Sequence, residues 1–251
     1  MTPVAATRTQ AERADETRAR ILDAALKEFA SAGLAGARTD QIAVAAGVNK
    51  ALLYYYFESK EKLYISALEL AAGRVRDSTL AVFLRDASPG ERVLRTVLNH
   101  FDRIASQGEF QRLMQQEMMR HKHGEPGGAM PILVKRVFSP LHAMFQSMLR
   151  EGIGSGELID VDSVQISLSA LGANVFYFMS APVWRLLQDA DPLSREVILE
   201  RRASAVRFLG QALFIDRLHG AQLAERVLAD TPPPEIKIDS TSFGGNDERT
   251  K

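Results

Sequence analysis

Residues 39–60 read Thr39-Asp-Gln-Ile-Ala-Val-Ala-Ala-Gly-Val-Asn-Lys-Ala-Leu-Leu-Tyr-Tyr-Tyr-Phe-Glu-Ser-Lys60. Thr39 is expected to cap a short helix. The inward-facing residues of that helix are Ile42, Ala43 and Ala46. Gly47 supplies the left-handed backbone that a tight turn needs, and Asn49 is expected to cap a second short helix. Two short helices joined by a glycine turn predict a helix-turn-helix, in which the second helix enters the major groove of DNA.

The second of these helices is predicted to have one buried and one exposed face. Leu53 and Phe57, four residues apart, point inward together with Val48. The residues expected to face solvent are Lys50, Ala51, Leu52, Tyr54 and Tyr55. An alternative is a helical corner that only packs against its neighbours. The exposed leucine and tyrosines favour DNA binding, because thymine methyl groups and phosphates offer contacts for them.

The composition is that of a folded protein without a strong overall charge. Of 251 residues, 46% are hydrophobic and 25% are charged, which provides enough apolar surface for a core. The 31 basic and 31 acidic residues give a net charge of zero, so DNA binding must come from local arrangement. Cysteine is absent, which excludes disulfides and thiolate sites and favours the cytoplasm. Neither a signal peptide nor a membrane segment is predicted, so no membrane partner is expected.

The periodicity of apolar residues predicts an all-α fold. It is helical from about residue 14 to about residue 228, and no segment alternates convincingly as a strand does. Pro140 lies inside the helix predicted over Ile132 to Leu149, and a kink is expected there because proline lacks an N–H group. The two ends, residues 1–13 and 229–251, are predicted to be a disordered arm and a disordered tail.

The segment from Ala46 to Leu63 resembles the signature of TetR/AcrR-type transcriptional regulators, and the similarity extends over about Thr17 to Leu70. The resemblance implies a three-helix DNA-binding domain, assigned to residues 14–60. It also implies an all-helical domain for effector binding and dimerisation, assigned to residues 61–228. The implied partners are a palindromic double-stranded DNA operator and a second copy of the chain.

The resemblance also assigns roles to eight residues of the DNA-binding domain. Those expected against phosphates and the DNA backbone are Thr39, Tyr54, Tyr56 and Lys60. Those expected to face base edges are Lys50, Ala51, Leu52 and Tyr55. The family often has Gly-Thr where this chain has Ala51-Leu52. Because this difference replaces a hydroxyl by an apolar side chain, the preferred DNA sequence is expected to differ as well.

Aromatic and methionine residues in the middle of the chain predict a pocket for a small apolar effector, because methionine adapts to varied apolar ligands. The candidate pocket residues are Phe101, Phe110, Met114, Met118, Phe145, Met148 and Phe176. The alternative is that these residues are ordinary core. His100 and His142 are candidate polar anchors in the pocket, or else core histidines.

Two apolar stripes in the C-terminal half predict a dimer in which two helices of each subunit form a four-helix bundle. The stripe on one helix comprises Val164, Leu168, Leu171, Val175 and Phe178. The stripe on the other comprises Val206, Leu209, Leu213 and Phe214. The helix from about Ser59 to Leu84 is expected to join the two domains, with Gly73 as its softest point.

These patterns predict a ligand-responsive dimeric repressor that an effector releases from its operator. The alternative is an all-helical binding or scaffold protein without specific DNA readout. An enzyme with an apolar cavity ranks third, because the sequence has no G-x-S-x-G, Walker, G-x-G-x-x-G or H-E-x-x-H motif. The predicted protein is therefore not an enzyme, and no catalytic residue, metal site or cofactor is assigned.

Overall fold

A computed structural model describes residues 9–124, 128–188 and 191–238. These residues form twelve α-helices and one π-helical turn, Val134–Phe138. The helices are α1 (Gln10–Gly36), α2 (Thr39–Ala46), α3 (Lys50–Phe57), α4 (Lys60–Phe83), α5 (Pro89–Ser106), α6 (Gly108–Lys122), α7 (Met130–Leu133), α8 (Ser139–Gly154), α9 (Ser163–Met179), α10 (Ala181–Leu187), α11 (Arg195–Ala212) and α12 (Arg217–Asp230). Extended pairing in the described ranges is limited to one isolated bridge between Leu158 and Phe214. The predicted all-α fold is confirmed.

The chain divides into two compact units whose boundary differs from the predicted one at residue 60. Among the described residues, the first unit comprises those up to residue 72 and those within 113–131, and the second comprises residues 73–112 and those from 132 onwards. Helix α6 therefore belongs largely to the first unit. Its buried Glu117 accepts a hydrogen bond from the Tyr64 hydroxyl at 2.9 Å, and this contact joins α6 to α4.

The core of the first unit is built on α1, whose buried side chains are Ile21, Leu22, Ala25, Phe29 and Ala30. Phe29 meets the ring of Tyr64 edge-on at 5.1 Å between centroids. The helix begins at Gln10, after a capping box between Thr9 and Glu12. The predicted disordered arm of residues 1–13 is therefore wrong for residues 10–13, while residues 1–8 lie outside the described residues. The reason is local, because the reciprocal cap satisfies two terminal N–H groups.

In the second unit, helices α11 and α12 approach closely at a pair of glycines. A β-carbon added to Gly220 would lie 2.0 Å from the carbonyl oxygen of Gly210. Neither position therefore accepts a side chain without separating the helices. The helical periodicity of the sequence runs through residues 197–218 without a break, but in the structure this stretch is divided between α11 and α12. Asp216 separates them, because its side chain accepts hydrogen bonds from two backbone N–H groups at the start of α12.

The irregularity predicted at Pro140 takes the form of the π-helical turn Val134–Phe138, directly before α8. The backbone N–H of Ser139 donates to the carbonyl oxygen of Val134, five residues earlier. Proline cannot donate a hydrogen bond to the preceding turn, so the wider turn accommodates the missing bond at this point.

The C-terminal segment after α12 packs on the second unit. Ile238 is buried and Ile236 contacts the same apolar cluster, which includes Phe101 and Phe178. The backbone N–H of Lys237 donates to the Ala105 carbonyl oxygen at 3.0 Å. The predicted disordered tail from residue 229 is therefore wrong for residues 229–238, because its isoleucines bury apolar surface. Residues 239–251 lie outside the described residues.

The predicted dimerisation stripes are largely part of the chain's own core. The buried members are Phe178, Val206, Leu209, Leu213 and Phe214. Two members of the predicted α9 stripe, Val164 and Leu168, are exposed. The other exposed large apolar residues of α9 and α11 are Phe176, Met179 and Phe208, which the predicted stripes did not include. In the described part of the chain, no single helix has both the length and the apolar character of a membrane span. Helices α9 and α10, which are bent by 64° relative to each other, reach the length and apolar character of a membrane span only when they are counted together.

Candidate nucleic-acid interface

Helices α2 and α3 are joined by the turn that the sequence predicts. Gly47 has φ 66° and ψ 38°, and its N–H closes the end of α2 by donating to backbone carbonyl oxygens. The side chain of Asn49 then accepts a hydrogen bond from the N–H of Leu52 at 2.7 Å and caps α3. A left-handed glycine followed by an asparagine cap orients the second helix at a sharp angle to the first. The local geometry of a helix-turn-helix is therefore present.

Helix α3 has the two faces that its sequence predicts, except that Tyr54, predicted to face solvent, is half-buried. Leu53 and Phe57 are buried in the first unit, and the guanidinium of Arg18 lies 5.4 Å from the centre of the Phe57 ring. On the opposite face, Tyr55 is 80% exposed and Leu52 is 36% exposed. Lys50 and Ala51 are exposed as well. The four residues predicted to face base edges thus lie together on the solvent side of one short helix.

Thr39 and Tyr54 contact each other across the turn. Thr39 is buried, and its hydroxyl lies 3.2 Å from the hydroxyl of Tyr54. The prediction that the Thr39 side chain caps α2 is wrong, because the capping residue is Arg38 and makes no side-chain cap. The Thr39 hydroxyl is instead used to hold α3 against α2. The phosphate contacts predicted for both residues stay predictions.

Lys50 is paired with an acidic residue of α2. Its ammonium nitrogen lies 2.9 Å from a carboxylate oxygen of Asp40, and both side chains are about half exposed. Hydrogen bonding and charge attraction within the pair raise the pKa of Lys50 and hold the pKa of Asp40 below its usual value. Both groups therefore stay charged, and Asp40 neutralises part of the positive charge at the start of α3.

Lys60 and Tyr56 lie beside the exposed face of α3. The ammonium group of Lys60 donates to the carbonyl oxygen of Ala35 at 3.0 Å, which ties the start of α4 to the end of α1. The ring of Tyr56 is half-buried between its two neighbours, with centroid distances of 5.6 Å to Tyr55 and 6.2 Å to Phe57. Neither side chain points freely into solvent.

Two features of α2 and α3 could not be predicted from the sequence, namely the backbone conformation of Glu58 and the exposure of Val44. Glu58 has φ 60° at the end of α3, a conformation that favours glycine, so the sequence pattern does not mark this residue as a helix end. Val44 is an apolar residue on the solvent-exposed side of α2. Its exposure follows from the register of α2, in which Ile42, Ala43 and Ala46 are buried.

The seven residues predicted to line one effector pocket are distributed over different parts of the structure. Phe145 and Met148 belong to one buried cluster of the second unit, whereas Phe101 belongs to another. Phe110 is half-buried near the start of α6. Met114 and Met118 belong to the first unit, and Met118 is exposed. Phe176 is 58% exposed, which places it on the surface of this subunit.

The comparison with known families matches both parts of this fold. The family described as "Bacterial regulatory proteins, tetR family" matches residues 21–67, which include the helix-turn-helix. The family described as "Tetracyclin repressor-like, C-terminal domain" matches residues 89–209.

Curated proteins and solved structures agree with these matches. The chain is 38% identical over 104 residues to the HTH-type transcriptional repressor NicS of Pseudomonas putida, covering 41% of this chain and 49% of that protein. It is 30% identical over 168 residues to the HTH-type transcriptional regulator RutR of Escherichia coli, covering 64% of this chain and 74% of RutR. The match to NicS thus spans about half of that relative's length.

A solved structure shows the same fold. The transcriptional regulator FadR from Bacillus subtilis, solved in complex with stearoyl-CoA, superposes with a TM-score of 0.59 at 20% identity, covering 76% of this chain and 96% of FadR. From the two family matches and the similarity to RutR, the chain belongs to the tetR family of bacterial regulatory proteins.

Proposed function

We propose that this protein is a dimeric transcriptional repressor that binds an operator through α3 and releases it when an effector binds to the second unit. The observation that carries the proposal is the exposed face of α3. A buried Leu53 and Phe57 anchor the helix, while Lys50, Leu52 and Tyr55 point to solvent. A rigid helix with one apolar, one aromatic and one basic exposed side chain suits the major groove.

The contacts expected with DNA follow from the chemistry of these side chains. Lys50 donates hydrogen bonds to guanine O6 and N7 or to phosphate, and Leu52 packs against a thymine methyl group. Tyr55 reaches base edges or phosphates with its hydroxyl. Thr39, Tyr54, Tyr56 and Lys60 are proposed to lie along the DNA backbone, where they set the orientation of α3. Ala51 permits close approach of the helix to the bases.

We infer that the dimer forms through exposed apolar residues of α9 and α11. Leu168 and Phe176, 64% and 58% exposed, lie on α9 on either side of Gly172, and a β-carbon at Gly172 would meet nothing within 4 Å. Phe208 of α11 is 69% exposed. Apolar side chains in such numbers on helix surfaces mark an interface with another protein. A two-fold dimer presents two copies of α3, as a palindromic operator requires.

The effector is proposed to bind within the second unit, where Phe101, Phe145 and Met148 contribute apolar surface. RutR and NicS are named as a transcriptional regulator and a transcriptional repressor, and FadR was solved with a bound ligand. These relatives support regulation of transcription by a ligand. Phe176 is assigned to the dimer interface in this proposal rather than to the pocket.

The experiment is an equilibrium titration of the full chain with the DNA upstream of its own gene, over a range of salt concentrations. We expect specific binding with a Kd of about 10⁻⁸ to 10⁻¹¹ M and at least about 10³-fold weaker binding to unrelated DNA. Equal and weak binding to both DNAs would favour the scaffold alternative and overturn the proposal.

The dimer is tested by sedimentation of the wild type and of Leu168→Glu and Phe208→Glu. Both substitutions place a charge on the proposed interface, so they are expected to yield monomers that retain their helical content. Leu84→Glu is the matched control, because Leu84 is exposed elsewhere, at the end of α4. A wild-type chain that sediments as a monomer at micromolar concentration contradicts the proposed interface.

A further inference from the structure

A group of polar side chains lies in the interior of the second unit, between α5 and α9. Asn174 of α9 is only 1% exposed, and its Nδ2 donates to the Val97 carbonyl oxygen at 3.0 Å. The same nitrogen lies 3.4 Å from Nδ1 of His100. The bond to Val97 determines the orientation of the amide, because an oxygen in that position would face another oxygen. Oδ1 of Asn174 is then buried without a hydrogen-bond partner among the described residues.

Helix α5 adds two buried hydrogen-bond donors that also have no partner among the described residues. Nδ2 of Asn99 and Nε of Arg103 are inaccessible to solvent and have no hydrogen-bond partner in the described part of the chain. The two residues are four positions apart, so they lie on one face of α5, and Arg103 is one turn beyond His100. Buried polar atoms are nearly always paired in folded proteins, so the unpaired atoms of Asn174 on α9 and of Asn99 and Arg103 on α5 require an explanation.

The lack of a partner for Arg103 contrasts with other arginines of the same unit. Arg95 is paired with Glu91 at 2.7 Å, and Arg202 makes two bonds to Asp102 at 2.7 and 2.9 Å. Across the described ranges, by contrast, no carboxylate pairs with Arg103. The Nε atom of Arg103 is thus buried without a hydrogen bond, which costs folding free energy unless a ligand supplies the acceptor.

The charge of the cluster at neutral pH follows from its surroundings. Burial lowers the pKa of Arg103 to about 10, so the guanidinium remains positive. Burial, together with the charge of Arg103, lowers the pKa of His100 to about 3, so the imidazole is neutral. Since Nδ1 of His100 faces a donor, its proton lies on Nε2. The cluster therefore combines one positive charge with several neutral polar groups.

We propose that Asn99, His100, Arg103 and Asn174 form the polar end of the effector site and bind the carboxylate of an apolar monocarboxylic acid. The inference rests on the proposed function, in which the second unit binds the effector. A carboxylate supplies the acceptors that Asn99 Nδ2 and Arg103 Nε lack, and its single negative charge balances the single charge of Arg103. A hydroxyl group on the acid would donate to Oδ1 of Asn174. The expected effector is thus an acid and not a purely apolar molecule.

The test measures ligand binding to the full chain in the absence of DNA, by calorimetry and by thermal unfolding. The probes are octanoate, 3-hydroxyoctanoate, benzoate and 3-hydroxybenzoate, with octanamide, benzamide and inorganic phosphate as comparisons. We expect at least one of the acids to bind and raise Tm at millimolar concentration, and its neutral amide to bind about 10- to 100-fold more weakly. Binding of phosphate but of no acid would overturn the carboxylate assignment, and so would the absence of binding by all four acids.

Arg103→Met removes the charge and keeps a similar apolar length. It is expected to weaken acid binding about 10- to 100-fold, whereas Arg150→Met, at an exposed position of α8, leaves binding unchanged. The ligand-free Arg103→Met protein should unfold at the same or a higher temperature than the wild type, because a buried unpaired N–H donor is removed. A lower Tm with unchanged acid affinity would assign Arg103 a structural role and overturn the proposal.

A direct readout is the NMR resonance of the Arg103 Nε–H group, identified by its loss in Arg103→Met. It should shift on addition of the acid and not on addition of the amide. If an acid binds through Arg103 but leaves operator affinity unchanged, the carboxylate site stands and the proposed regulation fails. If a neutral compound releases the operator with equal effect on wild type and Arg103→Met, the regulation stands and the carboxylate site fails.

Discussion

The ammonium nitrogen of Lys50 lies 2.9 Å from a carboxylate oxygen of Asp40, and this ion pair links the first turns of α3 and α2. Both side chains are about half exposed, so solvent screens the pair and it contributes little to stability. The ion pair matters more for DNA binding, because the Asp40 carboxylate pairs with the ammonium group of Lys50 at the start of the proposed recognition helix. Lys50 has to exchange Asp40 for a base or a phosphate when DNA binds.

Asp40→Asn is therefore expected to strengthen binding to operator and to unrelated DNA several-fold. The substitution frees Lys50 and removes a negative charge that would face phosphates. The measurement is a fluorescence titration at two salt concentrations, with Asp160→Asn as the control at an exposed position of the second unit. A lower affinity of Asp40→Asn would mean that the carboxylate itself contacts DNA, for example as an acceptor from cytosine.

Tyr55 and Tyr54 are expected to respond differently to substitution. Tyr55→Ala removes an exposed side chain, so Tm stays constant while operator binding weakens about tenfold or more if a base contact is lost. Tyr54→Phe removes the hydroxyl that contacts Thr39, and we expect a loss of stability of about 0.5–1.5 kcal/mol. Thermal unfolding and operator titration of both variants separate the two roles. Equal affinity of Tyr55→Ala for operator would remove Tyr55 from the proposed interface.

Lys60→Ala tests the proposed phosphate contact at the start of α4. If Lys60 neutralises one phosphate in the complex, the slope of log K against log salt falls by about 0.9. Lys62→Ala is the control, since Lys62 pairs with Glu58 on the exposed surface. An unchanged slope with a lower Tm would show that Lys60 keeps its bond to the Ala35 carbonyl oxygen and serves only to hold α1 and α4 together.

Glu117→Gln is expected to destabilise the first unit. The buried carboxylate accepts hydrogen bonds from the Tyr64 hydroxyl at 2.9 Å, from the N–H of Met130 at 3.1 Å and from the N–H of Ala129. Burial and the charge of Glu117 raise the pKa of Tyr64, so its hydroxyl stays protonated and donates.

The amide of Gln keeps one acceptor oxygen and brings two donors to a site that already supplies donors, including Arg120 at 3.2 Å. We expect a loss of about 2–4 kcal/mol in the free energy of unfolding. Denaturant titration measures it, and Glu109→Gln on the exposed face of α6 is the control. Equal stability of the Glu117 and Glu109 variants would contradict the structural role of the carboxylate.

Gly73→Ala tests the coupling of effector to operator through α4. A β-carbon at Gly73 would meet nothing within 4 Å, so the variant is expected to fold and to gain about 1 kcal/mol of helix propensity. A stiffer helix should change the effect of effector on operator affinity more than it changes the affinity without effector. Operator titrations with and without the acid that binds best provide the comparison. An identical ratio in both proteins excludes Gly73 as a flexible point.

The local features of the DNA-binding unit could be predicted from the sequence because they involve neighbouring residues. The left-handed Gly47, the cap by Asn49 and the inward positions of Leu53 and Phe57 all depend on contacts within a few positions. Backbone conformation and helical periodicity are properties of short segments, so they can be inferred without knowledge of the remaining fold. The resemblance over residues 17–70 added the roles of the exposed residues.

Contacts between distant residues were decided by tertiary packing. The hydroxyl of Tyr64 donates a hydrogen bond to Glu117, 53 positions later in the chain. This contact links α4 to α6, and most of α6 belongs to the first unit. The periodicity of apolar residues does not reveal that division of the chain. Phe176 is exposed, whereas Phe178 is buried, although both lie on the same apolar helix. A helix with apolar residues all round does not indicate which face meets its neighbours, because that face depends on where the other helices pack.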